Sequence, residues 1–371
     1  MERERLIEKA ELVVNKLMNL GKADEEMDKK TSKESHKKGL IARDFGIQEW
    51  DWPQGVGLYG LLKLQKFYGD QRYDEFLKKW YEDNRKIGLP SSNINTTTPF
   101  LTLVDLVSRV DEPAYENMCM ERAEWLMHEL PKTKDGGFQH VTTAIGNRYG
   151  VHLNDGEIWA DTMFMAVLFL SKMGVRYDRQ DYIDEAVKQM LIHIKYLYEK
   201  KNGLFYHGWS FNLNSNFGGI FWCRGNCWFT VAASDFLETV GDRISSGVRS
   251  YIEDTLRTQI ATLAKLQAPS GLWHTVLDDE SSYEEVSGSS GFTAGIIKAI
   301  KLGIVDDSYL PFAKKALAAI CDNVAEDGTV LNVSAGTGMG DNAEHYKNIM
   351  IAPMAYGQSL ALIALCEGME I

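Results

Sequence analysis

Three kinds of side chain in this sequence could do chemistry: carboxylates at predicted helix starts, histidines that recur after aromatic turns, and one arginine set among tryptophans. The carboxylates are Asp51, Asp161 and the pair Asp278-Asp279. Asp161 lies in Glu157-Ile158-Trp159-Ala160-Asp161-Thr162-Met163, at the mouth of the most apolar segment of the chain. Two readings are open to it. It can cap the helix by accepting backbone N–H groups. It can also act as a proton donor, because loss of hydration beside Trp159 raises a carboxyl's affinity for its proton. The positive end of a helix acts in the opposite sense.

His140, His207 and His274 each follow a short turn ending in an aromatic, so up to three imidazoles could reach one rim and touch a ligand or bond to backbone. Arg224 stands between Trp222 and Trp228, and its planar fork suits a substrate carboxylate as well as a structural role. Other signals point away from chemistry. Gly55-Val56-Gly57-Leu58-Tyr59-Gly60 has the dinucleotide-binding spacing, but it follows Trp52-Pro53-Gln54 and no apolar strand, so close helix packing explains it better. Cys223 and Cys227 lie four apart without a second pair, so no metal is expected, and no cofactor either. No serine sits in a G-x-S-x-G elbow, which leaves carboxylate acid–base work. Gly336-Thr337-Gly338-Met339-Gly340 is either a plain turn or a rim loop that approaches a ligand with its backbone.

The elements that must position these groups repeat. Turns ending in an aromatic recur at Asp135-Gly136-Gly137-Phe138, Asn202-Gly203-Leu204-Phe205 and Ser270-Gly271-Leu272-Trp273, with a weaker copy at Asp327-Gly328-Thr329-Val330. Inner-helix starts are predicted at Thr96, Asp161, Asn226, Gly291 and Tyr356, each 65 residues after the last, with Trp52-Pro53-Gln54 beginning a sixth. Residues 182–197 carry apolar side chains on one helical face and charges on the other, an outer helix. Met163 to Leu170 and much of Ala355 to Leu365 are apolar all round, which requires an enclosed helix. Six hairpins of this kind predict an all-α fold, an (α/α)6 barrel over residues 1–371 as a single domain. The loops before the inner helices then converge on one cavity.

Composition narrows the partners. Lys and Arg number 40 against 52 Asp and Glu, a net charge of -12 with no basic stripe, which argues against nucleic acid. No apolar stretch is long enough for a membrane helix or signal peptide, so a cytoplasmic protein is expected. Five cysteines, an odd and sparse count, are expected to be thiols. Nine tryptophans, eight of them from Trp50 to Trp228, offer flat faces on which sugar rings can stack.

With these residues in view the sequence resembles glycoside hydrolase family 105, the unsaturated rhamnogalacturonyl hydrolases, and more distantly the unsaturated glucuronyl hydrolases. The likeness spans nearly the whole chain. It is carried by Trp50-Asp51-Trp52-Pro53-Gln54-Gly55-Val56, Asn95-Thr96-Thr97, Gly137-Phe138-Gln139-His140, Trp159-Ala160-Asp161-Thr162, His207-Gly208-Trp209, Trp222-Cys223-Arg224-Gly225-Asn226, Gly271-Leu272-Trp273-His274 and the 336–340 loop with Met339. It implies the same barrel, and it implies that Asp161 is the catalytic residue. Glucuronyl hydrolases carry a second important aspartate where this chain has Asn95, a departure that favours the rhamnogalacturonyl branch. The stretch Thr143 to Glu157 reads as an insert at the rim.

The implied substrate is a small oligosaccharide, a 4,5-unsaturated uronyl sugar linked to rhamnose. Protonation of an enol ether needs one acid, where ordinary glycosidases use two carboxyls. On this reading Arg224 and His207 meet polar groups of the substrate and Trp222 and Trp228 stack on its rings. Asp51, Asn95, Gln139 and His140 orient it, with Trp50, Trp52, Trp159 and Met339 also counted among its contacts. A sugar epimerase working through paired histidines, glucuronyl specificity, and a non-catalytic sugar-binding barrel are the competing readings.

Overall fold

The computed structural model describes residues 3–21, 46–144 and 147–371. Six helices form an inner ring: α2 (Trp52–Tyr68), α4 with α5 (Ile94–Thr97, Phe100–Leu106), a π-helical turn (Met163–Val167) running into α7 (Leu168–Arg176), α9 (Cys223–Val240), α11 (Val286–Lys301) and α14 (Ala355–Gly368). Between them in sequence lie the outer helices α1 (Arg3–Met18), α3 (Asp74–Ile87), α6 (Pro113–His128), α8 (Gln180–Leu197), α10 (Ser246–Leu266) and α12 (Leu310–Asp322). Each inner helix packs on the next and α14 packs back on α2, which closes the (α/α)6 barrel. The predicted outer helix at 182–197 lies within α8. The two all-apolar segments are inner helices whose residues are buried throughout. The 65-residue spacing holds only loosely, because inner helices begin at Trp52, Ile94, Met163, Cys223, Val286 and Ala355, and Gly291 lies inside α11.

The recurrent aromatic turns share one construction. Gly136, Gly203, Gly271 and Gly328 each take positive φ, a conformation glycine adopts without a Cβ clash. The buried residue that follows then gives its N–H to a buried side chain: Phe138 to Gln189, Phe205 to Asn226, Trp273 to Ser289 and Val330 to Gln358. A hydrogen bond of this kind satisfies a backbone donor that the turn would otherwise strand in the core.

Three short antiparallel ladders stand at the mouth end, and the second of them joins neighbouring repeats. They are β1 (Val141–Thr143) with β2 (Val151–Leu153), β3 (Glu157–Trp159) with β4 (Gly208–Ser210), and β5 (Trp273–His274) with β6 (Glu284–Glu285). The stretch Thr143 to Glu157 is therefore a rim hairpin; Ile145 and Gly146 within it lie outside the described residues.

The opposite end of the ring is closed by charge. Every inner helix contributes an ionic side chain to a layer near its C-terminus, and around the ring the signs of these six alternate: Lys63, Asp105, Lys172, Asp235, Lys298, Glu367. Asp235 is central, accepting from Lys298 at 2.6 Å, Lys63 at 2.9 Å and the Tyr59 hydroxyl at 2.7 Å. Lys298 also meets Glu367 at 3.3 Å, and Lys172 pairs with Asp105. Burial pushes the Asp235 carboxyl up, but Lys298 and Lys63 outweigh it and hold it well below the usual carboxylate range.

Removing this carboxylate takes the shared acceptor from two buried ammoniums, leaving Lys63 with Glu367 at 3.9 Å and Lys298 with Glu238 and Glu367, so Asp235→Ala is expected to cost about 3–5 kcal/mol in urea unfolding. A cost below about 1 kcal/mol would contradict the account. Because the folded carboxyl binds its proton more weakly than the unfolded one, its contribution is complete above the unfolded pKa near ~4 and fades as pH falls. Wild-type stability should drop more steeply below that pH than the stability of Asp235→Ala.

Candidate active site

The loops and helix starts at the mouth enclose a cavity of about 610 Å³. Its wall includes Asp51, Trp52, Asn95, His140, Trp159, Asp161 and Met339, together with Thr142, Thr143, His152, Asn154, Glu157, Phe217 and Thr337. Seven of the sequence-predicted residues therefore meet on one surface, from four of the six repeats. The β1–β2 hairpin, Glu157 and Phe217 are contributions that residue reasoning passed over. Phe217 stands in Asn216-Phe217-Gly218-Gly219, an aromatic in a glycine-rich loop, which is the only signal it gives.

Asp161 follows β3 and opens the π-helical turn, a widened coil that recurs at functional positions. It is not a cap: among the described residues no backbone N–H donates to either oxygen, and Oδ2 is buried without a hydrogen-bond partner. The capping role belongs to Asp51, whose Oδ1 accepts from Trp52 N at 2.8 Å while Oδ2 accepts from Thr143 at 3.2 Å.

The β3–β4 ladder brings His207 to Asp161. Trp159 pairs with Gly208, and Ala160 N–H donates to His207 O at 2.8 Å, so the residue ahead of β4 lands beside the residue two beyond β3. His207 Nε2 then lies 3.3 Å from Asp161 Oδ2, close enough for strong charge coupling but off the line of a good hydrogen bond. On its other edge, Nδ1 lies 2.9 Å from the Tyr346 hydroxyl. His140 lines the wall, stacked on Trp159 at 4.0 Å, with Nδ1 at 3.5 Å from Thr162. His274 bonds to Ser282 O and does not join them.

Burial pushes the Asp161 carboxyl up, yet His207 foremost, with Arg224 behind it, outweighs it, and the net effect holds the carboxyl below its usual range. The contest left open by sequence is thus decided by neighbouring cations and hydrogen-bond donors. Burial pushes the His140 imidazole down to about 3 against the pull of Asp161, so this ring is neutral at physiological pH. Glu157 moves the other way, raised by burial although it accepts from the Trp159 indole at 2.8 Å.

The remaining predicted residues sit behind the wall. Trp50 is core, stacked on Trp80 with its N–H on Thr96 O. Gln139 ties Lys132 O to Gly156 N. Trp222 and Trp228 are 1% and 0% exposed, so neither presents a face to the cavity; the ring faces on the wall are those of Trp52, Trp159 and Phe217. Arg224 is also buried, stacked between Trp222 and Tyr356, and its Nη groups hold Ser334 and Ala335 just ahead of the 336–340 loop. Its Nε, like the indole nitrogens of Trp222 and Trp228, has no acceptor among the described residues. Met339 reaches the wall by packing over Gly208, where even a Cβ would meet its methyl at 2.2 Å. Among the described residues no cluster of three His, Cys, Asp or Glu could hold a metal ion, and the five cysteines are buried.

Replacing His207 by alanine removes the largest influence that opposes burial. Asp161 in His207→Ala should therefore titrate at higher pH than in the wild type, read by carbon-13 NMR of labelled aspartate with Asp161→Asn as the assignment control. An unchanged or lower midpoint would contradict the stated balance.

Comparison with known proteins agrees with this geometry. The family model described as Glycosyl Hydrolase Family 88 matches residues 22–371. The chain is 34% identical over 330 residues to the unsaturated rhamnogalacturonyl hydrolase YesR of Bacillus subtilis (strain 168), covering 88% of this chain and 92% of that protein. A possible member of family GH105 from Salmonella enterica superposes with a TM-score of 0.89 at 35% identity, over 100% of this chain and 95% of that one. The unsaturated glucuronyl hydrolase of Bacillus sp. GL1 shares the fold at a TM-score of 0.70 and 16% identity, over 98% and 96% of the two chains. A closed barrel of paired helices, with an aspartate poised at the mouth of its third inner helix, thus belongs to a member of glycosyl hydrolase family 88.

Proposed function

We propose that this glycosidase hydrates the 4,5 double bond of an unsaturated galacturonyl residue linked to rhamnose, with Asp161 as the acid and then the base. The observation that carries this reading is an uncapped carboxylate at the start of an inner helix on the cavity wall, next to a histidine and among aromatic rings. The rhamnogalacturonyl hydrolase among its relatives supports the substrate class.

Protonation of C4 by Asp161 leaves a cation shared by C5 and the ring oxygen. Water adds at C5 and returns its proton to Asp161, so one carboxyl completes a cycle. The hemiketal at C5 opens to a ketone, the hemiacetal thus left at C1 releases the rhamnose-containing alcohol, and one water has been consumed in all. Trp52, Trp159 and Phe217 hold the rings, while Asn95, His140 and Asp51 orient the sugar hydroxyls. Arg224 acts through the rim, its Nη groups fixing Ser334 and Ala335 just ahead of the 336–340 loop.

Asp161 is ionised in the ligand-free protein, so the proton must arrive with substrate. A second carboxylate entering a cavity that is losing water raises the affinity of Asp161 for a proton. The closed ring from α1 to α14 supports a single catalytic domain, and the buried thiols support a reducing cytoplasm, where short imported oligosaccharides would be the load.

Asp161→Asn should reduce turnover about 10²–10⁴-fold, read as loss of the ultraviolet band of the conjugated enol acid. Wild-type rate in the pure variant would refute the assignment. In heavy water, deuterium should appear at C4 of the product, and its absence would rule out protonation there. Because the free-enzyme acid form is scarce, kcat/KM should fall as pH rises through neutrality; a rise would reverse the assigned roles.

A further inference from the structure

Where the protons lie around His207 can be worked out from its neighbours. The ring is buried, with Trp159 and Trp222 against its faces and edges, Asp161 at Nε2 and Tyr346 at Nδ1; the other titratable groups acting on this pair are His140, Glu157 and Arg224. Tyr346 sits on the short rim helix α13 (Ala343–Lys347), whose first turn is capped by Asn342.

Gly340 N–H donates to the Tyr346 oxygen at 3.1 Å, and a backbone amide cannot reverse that direction. The tyrosine's own proton must therefore go elsewhere. Its nearest acceptor is His207 Nδ1 at 2.9 Å, ahead of Gly340 O at 3.4 Å and the Met339 sulfur at 3.8 Å. A neutral imidazole that accepts at Nδ1 carries its hydrogen on Nε2. The opposite face gives the same answer, since a bare Nε2 would set one acceptor against another at 3.3 Å from an ionised Asp161.

We propose that Tyr346 is a positioning residue for the acid: by donating to Nδ1 it holds His207 as the Nε2–H tautomer, which turns a donor, not a lone pair, toward Asp161 Oδ2 at 3.3 Å. The carboxyl's proton is then confined to Oδ1. Oδ2 is sealed from solvent while the Asp161 side chain keeps 16% exposure, so Oδ1 is the oxygen that meets the cavity. The glycine-rich loop enters the chemistry through the same chain, because Gly340 fixes the direction in which Tyr346 donates. This role rests on Asp161 being the proton donor.

The test reads the ring and the reaction separately. Nitrogen-15 NMR of histidine-labelled protein, with His207→Gln as the assignment control, should show the His207 ring hydrogen on Nε2 in the wild type. Tyr346→Phe should yield mixed tautomers. With an unsaturated uronyl-rhamnose, Tyr346→Phe should lower kcat roughly 10²-fold with little change in KM and shift the alkaline limb of the pH profile to higher pH, because Oδ2 then faces a donor only part of the time. That shift should vanish when Tyr346→Phe is made in the His207→Gln background, because a glutamine amide has no tautomers for Tyr346 to select. A wild-type ring protonated on Nδ1 would overturn the proposal, as would a Tyr346→Phe protein with unchanged tautomer and unchanged pH profile. Absence of wild-type turnover on this substrate would overturn the functional reading instead, because the spectra are taken without substrate.

Discussion

The contact between Asp161 and His207 is the interaction on which the rest of the site depends. A buried carboxyl left alone would hold its proton tightly and return it poorly; a buried carboxylate facing several positive or donating groups would give up the proton too early. Here burial and the neighbouring donor oppose each other across 3.3 Å, with Arg224 adding to the same side as His207. The carboxyl is left sensitive to one further charge. A substrate that carries its own carboxylate supplies that charge, so binding and protonation become one event.

Fold and chemistry are linked by a three-residue ladder. β3 leads into the third inner helix and β4 leads out of the turn that precedes the fourth, and their register alone sets His207 against Asp161. At the far end of the barrel the alternating ionic ring fixes the same helices from below. Helices pinned at both ends give the mouth a rigid frame, which is what a donor that must face one carbon of a substrate requires.

Much of this was legible in the sequence, and what was missed has physical causes. All-apolar stretches can only be enclosed helices, so Met163–Leu170 and Ala355–Leu365 announced the inner ring. The importance of Asp161 was legible because an acid at the mouth of such a helix is unusual. Its freedom from capping was not, since that depends on how the π-helical turn directs its N–H groups. Trp222 and Trp228 illustrate a different limit: tryptophan is read equally well as a sugar platform or as core, and only the packing, which buries both, separates the two. Tyr346 lies in no motif and acts through a contact 139 residues away in sequence, which periodicity cannot reveal. The ionic ring did leave a trace, one charged residue near the end of each apolar helix, but it becomes a pattern only when the helices are aligned by depth.

The central claim is that Asp161 delivers its proton to C4 of an unsaturated uronyl ring. The most direct measurement is a crystal structure of Asp161→Asn holding an unsaturated galacturonyl-rhamnose. The account predicts C4 within about 3.5 Å of the side-chain atom of residue 161 that faces away from His207, a distance suited to proton transfer in line with the double bond. Finding the glycosidic oxygen there instead, with C4 beyond reach, would contradict it.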